Sequence, residues 1–295
     1  ALRCGGRSFQ KHVAGLDFRQ HIVRDALVCP LFSATQKGCI ESRRDYTYGG
    51  TLYNFSTISL TGLGTVADSL CAIRQLVYED KTCTMEELTA ALAADWEGYE
   101  ALHRKALAAP KYGHNQKAAD EIANDFLCRI AERLSNRSNE RGGMHIPSLF
   151  VYYHFESFAR VLRATPDGRK DFELISPGAA PGQLLPIRDV TEPIKSMQRM
   201  DFTACGGGSC VLDVKLPLSG HMTPKLFAAL IRACGEYGCP TLQPNVVSQE
   251  DLLDARVHPE KHRQLIVRIC GLSAYFVSLT PQVQEEIIAR NLYEG

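Results

Sequence analysis

The stretch from Arg268 to Arg290, RICGLSAYFVSLTPQVQEEIIAR, constrains the chain most. At its centre Gly271 separates two apolar runs, and the pattern predicts a buried strand from Leu265 to Ile269 and a second from Ser273 to Leu279. Gly tolerates positive φ and close backbone approach, so on pattern alone Gly271 reads as a tight bend or a bulge. Thr280 and Pro281 then open a final helix, since Pro fits the first helical turn.

A second reading of the same residues comes from resemblance. Arg268-Ile-Cys-Gly-Leu-Ser-Ala-Tyr-Phe276, followed by Leu279-Thr-Pro281 and Glu285-Glu-Ile-Ile-Ala-Arg290, resembles the radical loop of the glycyl radical enzymes. This is the family of pyruvate formate-lyase and the anaerobic diol, choline and hydroxyproline lyases. Its motif reads Arg-Val-x-Gly-Tyr-Ser-x-Phe, and its glycine stores a radical on Cα. Such a radical is planar and delocalised over the flanking amides, and a side chain would twist it out of that plane. Leu272 stands where the family has Tyr, and Ile269 where it has Val; both stay apolar.

The resemblance extends along the chain in order. Thr65-Val-Ala-Asp-Ser-Leu70, Ala109-Pro-Lys-Tyr-Gly113, Ala164-Thr-Pro-Asp-Gly-Arg-Lys170 with Ile175-Ser-Pro177, and Gln243-Pro-Asn-Val-Val-Ser248 are all similar to family signatures. Leu252-Leu-Asp-Ala255 and His258-Pro-Glu-Lys261 are similar to its approach to the radical loop. The resemblance implies an α/β fold, the C-terminal half of a ten-stranded α/β barrel with the Gly radical finger loop. Residues 1–163 would then belong to the barrel and residues 164–295 form the glycine radical domain. It implies a catalytic role for Gly271 and a radical installed there by a separate activase using S-adenosylmethionine and an iron–sulfur cluster. A thiyl cysteine would break a C–C, C–O or C–N bond of a small-molecule substrate, as a lyase or a formate acetyltransferase-like enzyme.

Gly38-Cys-Ile-Glu41 resembles the family's thiyl motif, Gly-Cys-Val-Glu. The residues downstream of it, Arg44-Asp-Tyr-Thr-Tyr-Gly-Gly50 and Tyr53-Asn54, resemble instead a later Cys-Ile-Glu motif that precedes a Gly-Gly-x-x-Tyr-Asn turn. The spacing between Cys39 and Gly271 also looks short for the thiyl residue and right for the later motif. The expectation is that the thiyl cysteine is not in this chain, with Cys39 the lesser alternative, and that Glu41 is a structural acid in a turn, with a substrate contact its lesser alternative. The chain, which does not begin with Met, is then expected to be the C-terminal part of a longer lyase or one subunit of a split one. Its partners would be the activase and either the missing N-terminal half or a homodimer partner. A non-catalytic replacement radical domain that docks on a larger lyase is the alternative, and a decayed paralogue marked by Leu272 a third.

The rest of the sequence sets bounds. Of 295 residues, 33 are basic and 33 acidic, and 45% are hydrophobic, enough for an ample core and no reason to expect a nucleic acid or membrane partner. Eleven cysteines without a small secreted scaffold read as reduced thiols in the cytoplasm, which leaves the sequons at Asn54 and Asn136 without meaning. Cys205 with Cys210 and Cys234 with Cys239 could close a zinc site if their turns met, but buried thiols without a metal are the reading taken.

Helical spacing predicts a first helix from Phe18 to Phe32 and a second from Gly62 to Glu79 on Val66, Leu70, Ile73 and Val77. A third runs from a Thr84–Glu87 capping box through Trp96 to a stop at Pro110. A fourth spans Ala118 to Leu134 on Ile122, Phe126 and Ile130. The charged run from Asn136 to Arg141 reads as a solvated loop, and Asp167-Gly168 as a turn. Strands are expected over Ser148–His154, Val211–Leu216 and Thr241–Val247, with Tyr152, Tyr153 and His154 structural or facing substrate. A helix from Thr223 should bury Leu226, Leu230 and Ile231.

Overall fold

The computed structural model describes residues 15, 22, 24, 26–150, 158–159, 161–182, 184–185, 187, 189–205, 209–216, 223–269 and 272–289. Its elements begin with α1 (Pro30–Ala34), α2 (Cys39–Ser42), β1 (Phe55–Ser59), α3 (Leu63–Ile73), α4 (Met85–Ala93), α5 (Glu100–Ala108) and α6 (Lys117–Ser135). Then come β2 (Met144–Ser148), α7 (Thr191–Met197), β3 (Val211–Leu216), α8 (Pro224–Glu236) and β4 (Thr241–Val246). The chain continues through α9 (Gln249–Val257), β5 (Ile266–Ile269), β6 (Leu272–Tyr275) and α10 (Pro281–Ala289). Among the described residues the strands pair two by two: β1 with β2, β3 with β4, β5 with β6. The β3–β4 pair is parallel and joined through α8, as a parallel crossover requires. No helix among the described residues is long and apolar enough to cross a membrane.

The chain divides into two compact units, Ala1–Ile58 with Ile130–Pro147, and Ser59–Arg129 with Ser148–Gly295. The first is organised by polar side chains. Asp45 accepts from Cys29 N–H (3.1 Å), the Ser33 hydroxyl (2.6 Å), and both Thr47 N–H and hydroxyl. Asn54 donates to the Arg141 carbonyl (2.8 Å) and accepts from Arg141 Nε (3.0 Å), while buried Asn139 accepts from Arg141 and Gly143 N–H. The charged run is thus a bonded loop rather than a merely solvated one, and the nitrogen of the Asn54 sequon is engaged.

The second unit has an apolar core on α3, α6, β3 and α8. The predicted stripe of α3 is offset. Leu63, Ala67 and Cys71 are buried while Leu70 is exposed, because small residues let the helix approach its neighbours. In α6 the apolar residues buried in this core are likewise Ala119, Ala123 and Leu127, with Ile122 and Phe126 packing at the edge. In α8 Leu230 is buried as expected, but Leu226 and Ile231 are exposed and Cys234 takes the inner position.

The Thr84 capping box forms, with Glu87 N–H on the Thr84 hydroxyl (3.1 Å) and Thr84 N–H on the Glu87 carboxylate (2.8 Å). The single helix expected from there to Pro110 is instead two, α4 and α5. Asp95, Trp96 and Gly98 adopt positive φ (50°, 67° and 78°), which turns the Trp96 ring inward to stack on His103 and donate to the Arg169 carbonyl. β2 buries His145 to Ser148 and so meets the start of the strand expected over Ser148–His154; Val151, Tyr152, Tyr153 and His154 fall outside the described residues. Most of the expected first helix does too, although Ile22, Arg24 and Ala26 are helical; Pro30 then opens a separate helix, α1.

Candidate functional site

The residues on either side of Gly271 form the β5–β6 hairpin. Its register pairs Ile266 with Tyr275, Val267 with Ala274, Arg268 with Ser273 and Ile269 with Leu272. Cys270 and Gly271 are therefore the two residues linking the strands; both lie outside the described residues. Beyond Tyr275 the expected strand stops, and Phe276–Ser278 tighten into a short 3₁₀ turn. That turn sends Phe276 into a core with Val247, Leu252, Ala255, Val267, Val283 and Ile287. Phe276 N–H donates to the Leu265 carbonyl (2.8 Å), closing the base of the hairpin, and Gln284 of α10 donates to the Phe276 carbonyl (2.9 Å).

Polar groups fix the stem. Arg268 Nη1 donates to the Ser273 hydroxyl (2.9 Å) across the two strands. From β4, Asn245 accepts from Arg268 N–H (2.7 Å) and donates back to the Arg268 carbonyl (2.9 Å). Asn245 is 2% exposed, so the carboxamide end of both bonds lies away from water. In the sequence Asn245 stands only as one letter of a signature, with no role attached to it. The signal it carried was a carboxamide in a strand whose neighbours in the alternation, Gln243 and Val247, also turn inward.

The other signatures interlock within the second unit. Thr65 N–H donates to the Ser176 hydroxyl (3.0 Å), and Ser176 N–H to the Thr65 hydroxyl (2.9 Å). Asp68 accepts from Tyr112 N–H (2.6 Å), and the Tyr112 hydroxyl donates to the Ala179 carbonyl (2.9 Å). Buried Arg169 donates to the carbonyls of Lys170, Glu173, Leu162 and Arg163 and to the Thr165 hydroxyl. The turn at Asp167-Gly168 sits inside that cradle, with Gly168 N–H on the Thr165 carbonyl (3.1 Å). Burial holds the carboxyls of Asp68, Asp120 and Asp167 above the usual range and pushes the Cys71 thiol up to about 11. Asp120 remains paired with Arg199 at 2.7 Å. These groups support one another inside the unit.

Cys39 is buried at the first turn of α2. Gly38 precedes it at φ 101°, where an added Cβ would meet Leu52 N at 2.7 Å and Gly50 O at 2.8 Å. Exposed Glu41 accepts from Gly38 N–H (3.0 Å), so its carboxylate caps the turn. The two C-x4-C pairs share one apolar cluster. Cys205 is hydrogen-bonded to Cys210 and Cys234 to Cys239, and among the described residues no three metal-ligating side chains gather. The second spacing is that of a helix end: Cys239 N–H donates to the Cys234 carbonyl (2.9 Å) across Gly238 at φ 72°, the 6→1 bond of a Schellman motif.

Comparison with known proteins agrees with this arrangement. The family profile described as Pyruvate formate lyase-like matches residues 8–154, and the one described as Glycine radical matches residues 176–277, a span that includes Gly271. The chain is 33% identical to trans-4-hydroxy-L-proline dehydratase of Clostridioides difficile, over 92% of this chain and 35% of the relative. It is 35% identical to isethionate sulfite-lyase of Nitratidesulfovibrio vulgaris, over 80% of this chain and 29% of that one. The crystal structure of hydroxyproline dehydratase from Clostridioides difficile, with trans-4-hydroxy-L-proline bound, superposes with a TM-score of 0.89 at 31% identity, covering 95% of this chain and 36% of that one. The chain thus spans about a third of the length of the curated relatives it matches. With two family profiles in order along the sequence and the fold of solved relatives over nearly its whole length, this chain belongs to the glycyl radical enzyme family.

Proposed function

We propose that this chain is the radical-storing part of a glycyl radical lyase, with the radical held on Gly271. The observation that carries the reading is a coincidence of two features. The Glycine radical match spans the two-residue link of a hairpin whose stem is pinned in a core, and Gly271 lies in that link. Loss of one Cα hydrogen from glycine leaves an electron shared with both flanking amides, and no side chain opposes the planarity this needs. The hydrogen is taken by a separate activase that uses S-adenosylmethionine and an iron–sulfur cluster. In the whole enzyme the radical passes to a cysteine thiol, which removes a hydrogen atom from substrate so that a neighbouring bond breaks. Such chemistry needs a dry site and a reducing cytoplasm, because oxygen or a stray hydrogen donor ends it.

The two curated relatives are a dehydratase and a sulfite-lyase, which favours elimination of a small leaving group over acyl transfer. We place the domain boundary at Ala164, between the two family matches, with residues 1–163 as part of the ten-stranded barrel and 164–295 as the radical domain. Cys39 is assigned to the structure of its turn, and the thiyl cysteine to the two thirds of the family's length that this chain does not span. A replacement radical domain would need only the second match; the first, over residues 8–154, weighs against it.

The test is anaerobic incubation with a radical S-adenosylmethionine activase that charges a known family member. A doublet organic radical signal is expected, lost in Gly271→Ala. Admission of air should then cut the chain at Gly271, read by mass spectrometry. An uncut, radical-free wild-type chain would refute the assignment.

A further inference from the structure

Among the groups that support the hairpin, one is placed to do more than add stability. In an antiparallel pair, residues opposite each other alternate between those that exchange hydrogen bonds and those whose N–H and C=O point outward. Both backbone groups of Arg268 are held by Asn245, so Arg268 faces Ser273 as an outward-pointing pair. The next pair, Ile269 with Leu272, then turns its backbone groups inward and closes the stem immediately before the Cys270–Gly271 link. The Asn245 carboxamide thus plays the part of a missing neighbouring strand for one residue only.

That arrangement selects a register. β4 is itself fixed by six parallel pairs to β3, Lys215 with Asn245 among them, and Gln243 donates to Asp213 across the same two strands. Asn245 is therefore a fixed point, with one acceptor and one donor at the spacing of a peptide edge. If β5 slipped by one residue, it would offer Asn245 a residue whose groups point the other way. A slip by two would restore the bonding but move Gly271 by about 7 Å along the strand direction. Neither slip keeps the glycine in place while satisfying the buried carboxamide.

We propose that Asn245 is a positioning residue for the radical loop: by clamping both backbone groups of Arg268 it fixes the register that sets Gly271 at the hairpin link. The proposal rests on the assignment of the radical to Gly271. Its test compares wild type, Asn245→Ala, Asn245→Asp and the distant cap variant Thr84→Ala, each incubated anaerobically with the activase. Radical yield is read by electron paramagnetic resonance, and hydrogen exchange at the Arg268 amide by mass spectrometry. Asn245→Ala should lose Arg268 protection and at least about tenfold in radical yield, since both backbone groups of Arg268 lose the carboxamide that fixes their register. Thr84→Ala should keep the wild-type yield.

Asn245→Asp guards against simple misfolding, because it preserves shape. Ionised, it cannot donate to the Arg268 carbonyl; protonated, it can. Its yield relative to wild type at each pH should therefore recover as pH falls, a profile that a general loss of stability would not produce. A wild-type radical with undiminished yield in Asn245→Ala overturns the clamp alone. A wild-type chain that takes no radical overturns the Gly271 assignment, and this proposal with it.

Discussion

Asp68 accepts the Tyr112 N–H from a fully buried position, and burial holds its carboxyl well above the usual range although that bond and the Lys111 charge pull the other way. Above about pH 4 the unfolded chain has released this proton while the folded chain keeps it. Folding in that window takes up a proton, so stability falls as pH rises from the unfolded value through the folded one. Asp120 and Asp167 are raised by burial in the same direction. Asp68→Asn keeps an oxygen for the Tyr112 N–H and cannot ionise. Urea unfolding between about pH 4 and about pH 8 should give a slope shallower than wild type by up to about one proton. Equal slopes would mean that Asp68 ionises in the folded chain as it does in the unfolded one. At this scale the sequence was informative about Gly271, because a radical loop needs glycine and its neighbours spell a motif. It was silent about Asn245, whose importance comes from a partner more than twenty residues away whose backbone, not its side chain, is what it holds.

Helix ends were legible because their chemistry is local. Thr84 and Glu87 satisfy each other's backbone donors three residues apart, as the letters require. Thr84→Ala should therefore cost about 1 kcal/mol in chemical denaturation and leave the rest of the fold intact; a loss below a few tenths would show that the box is redundant with the packing of Leu88 and Ala91. What the letters did not give was the break at Asp95–Gly98, where Trp96 accepts positive φ so that its ring can reach His103 and the Arg169 carbonyl. Tertiary contact overrides helical spacing there. The offset stripes of α3 and α6 have a related cause. Pattern reading favours large apolar residues, whereas Ala67, Cys71, Ala119 and Ala123 are among the residues buried in the core.

Across the whole chain, the signatures are spread over more than a hundred residues yet meet as reciprocal hydrogen bonds inside one unit. Each hydroxyl of the Thr65–Ser176 pair accepts the other's backbone N–H, in a buried place where a lost acceptor leaves a donor stranded. Their order along the sequence is thus a consequence of folding: each supplies what another, distant in the chain, leaves unsatisfied. A double-mutant cycle on Thr65→Ala and Ser176→Ala measures this directly. Each substitution strands one N–H, but the first also removes the geometry that made the second bond worth having. The pair should couple by about 1 kcal/mol in equilibrium unfolding, within the range for residues sharing one network. Strict additivity would mean that the two bonds form independently, and that what joins these signatures is the apolar packing of Leu63 and Ala179 around them rather than the hydrogen bonds themselves.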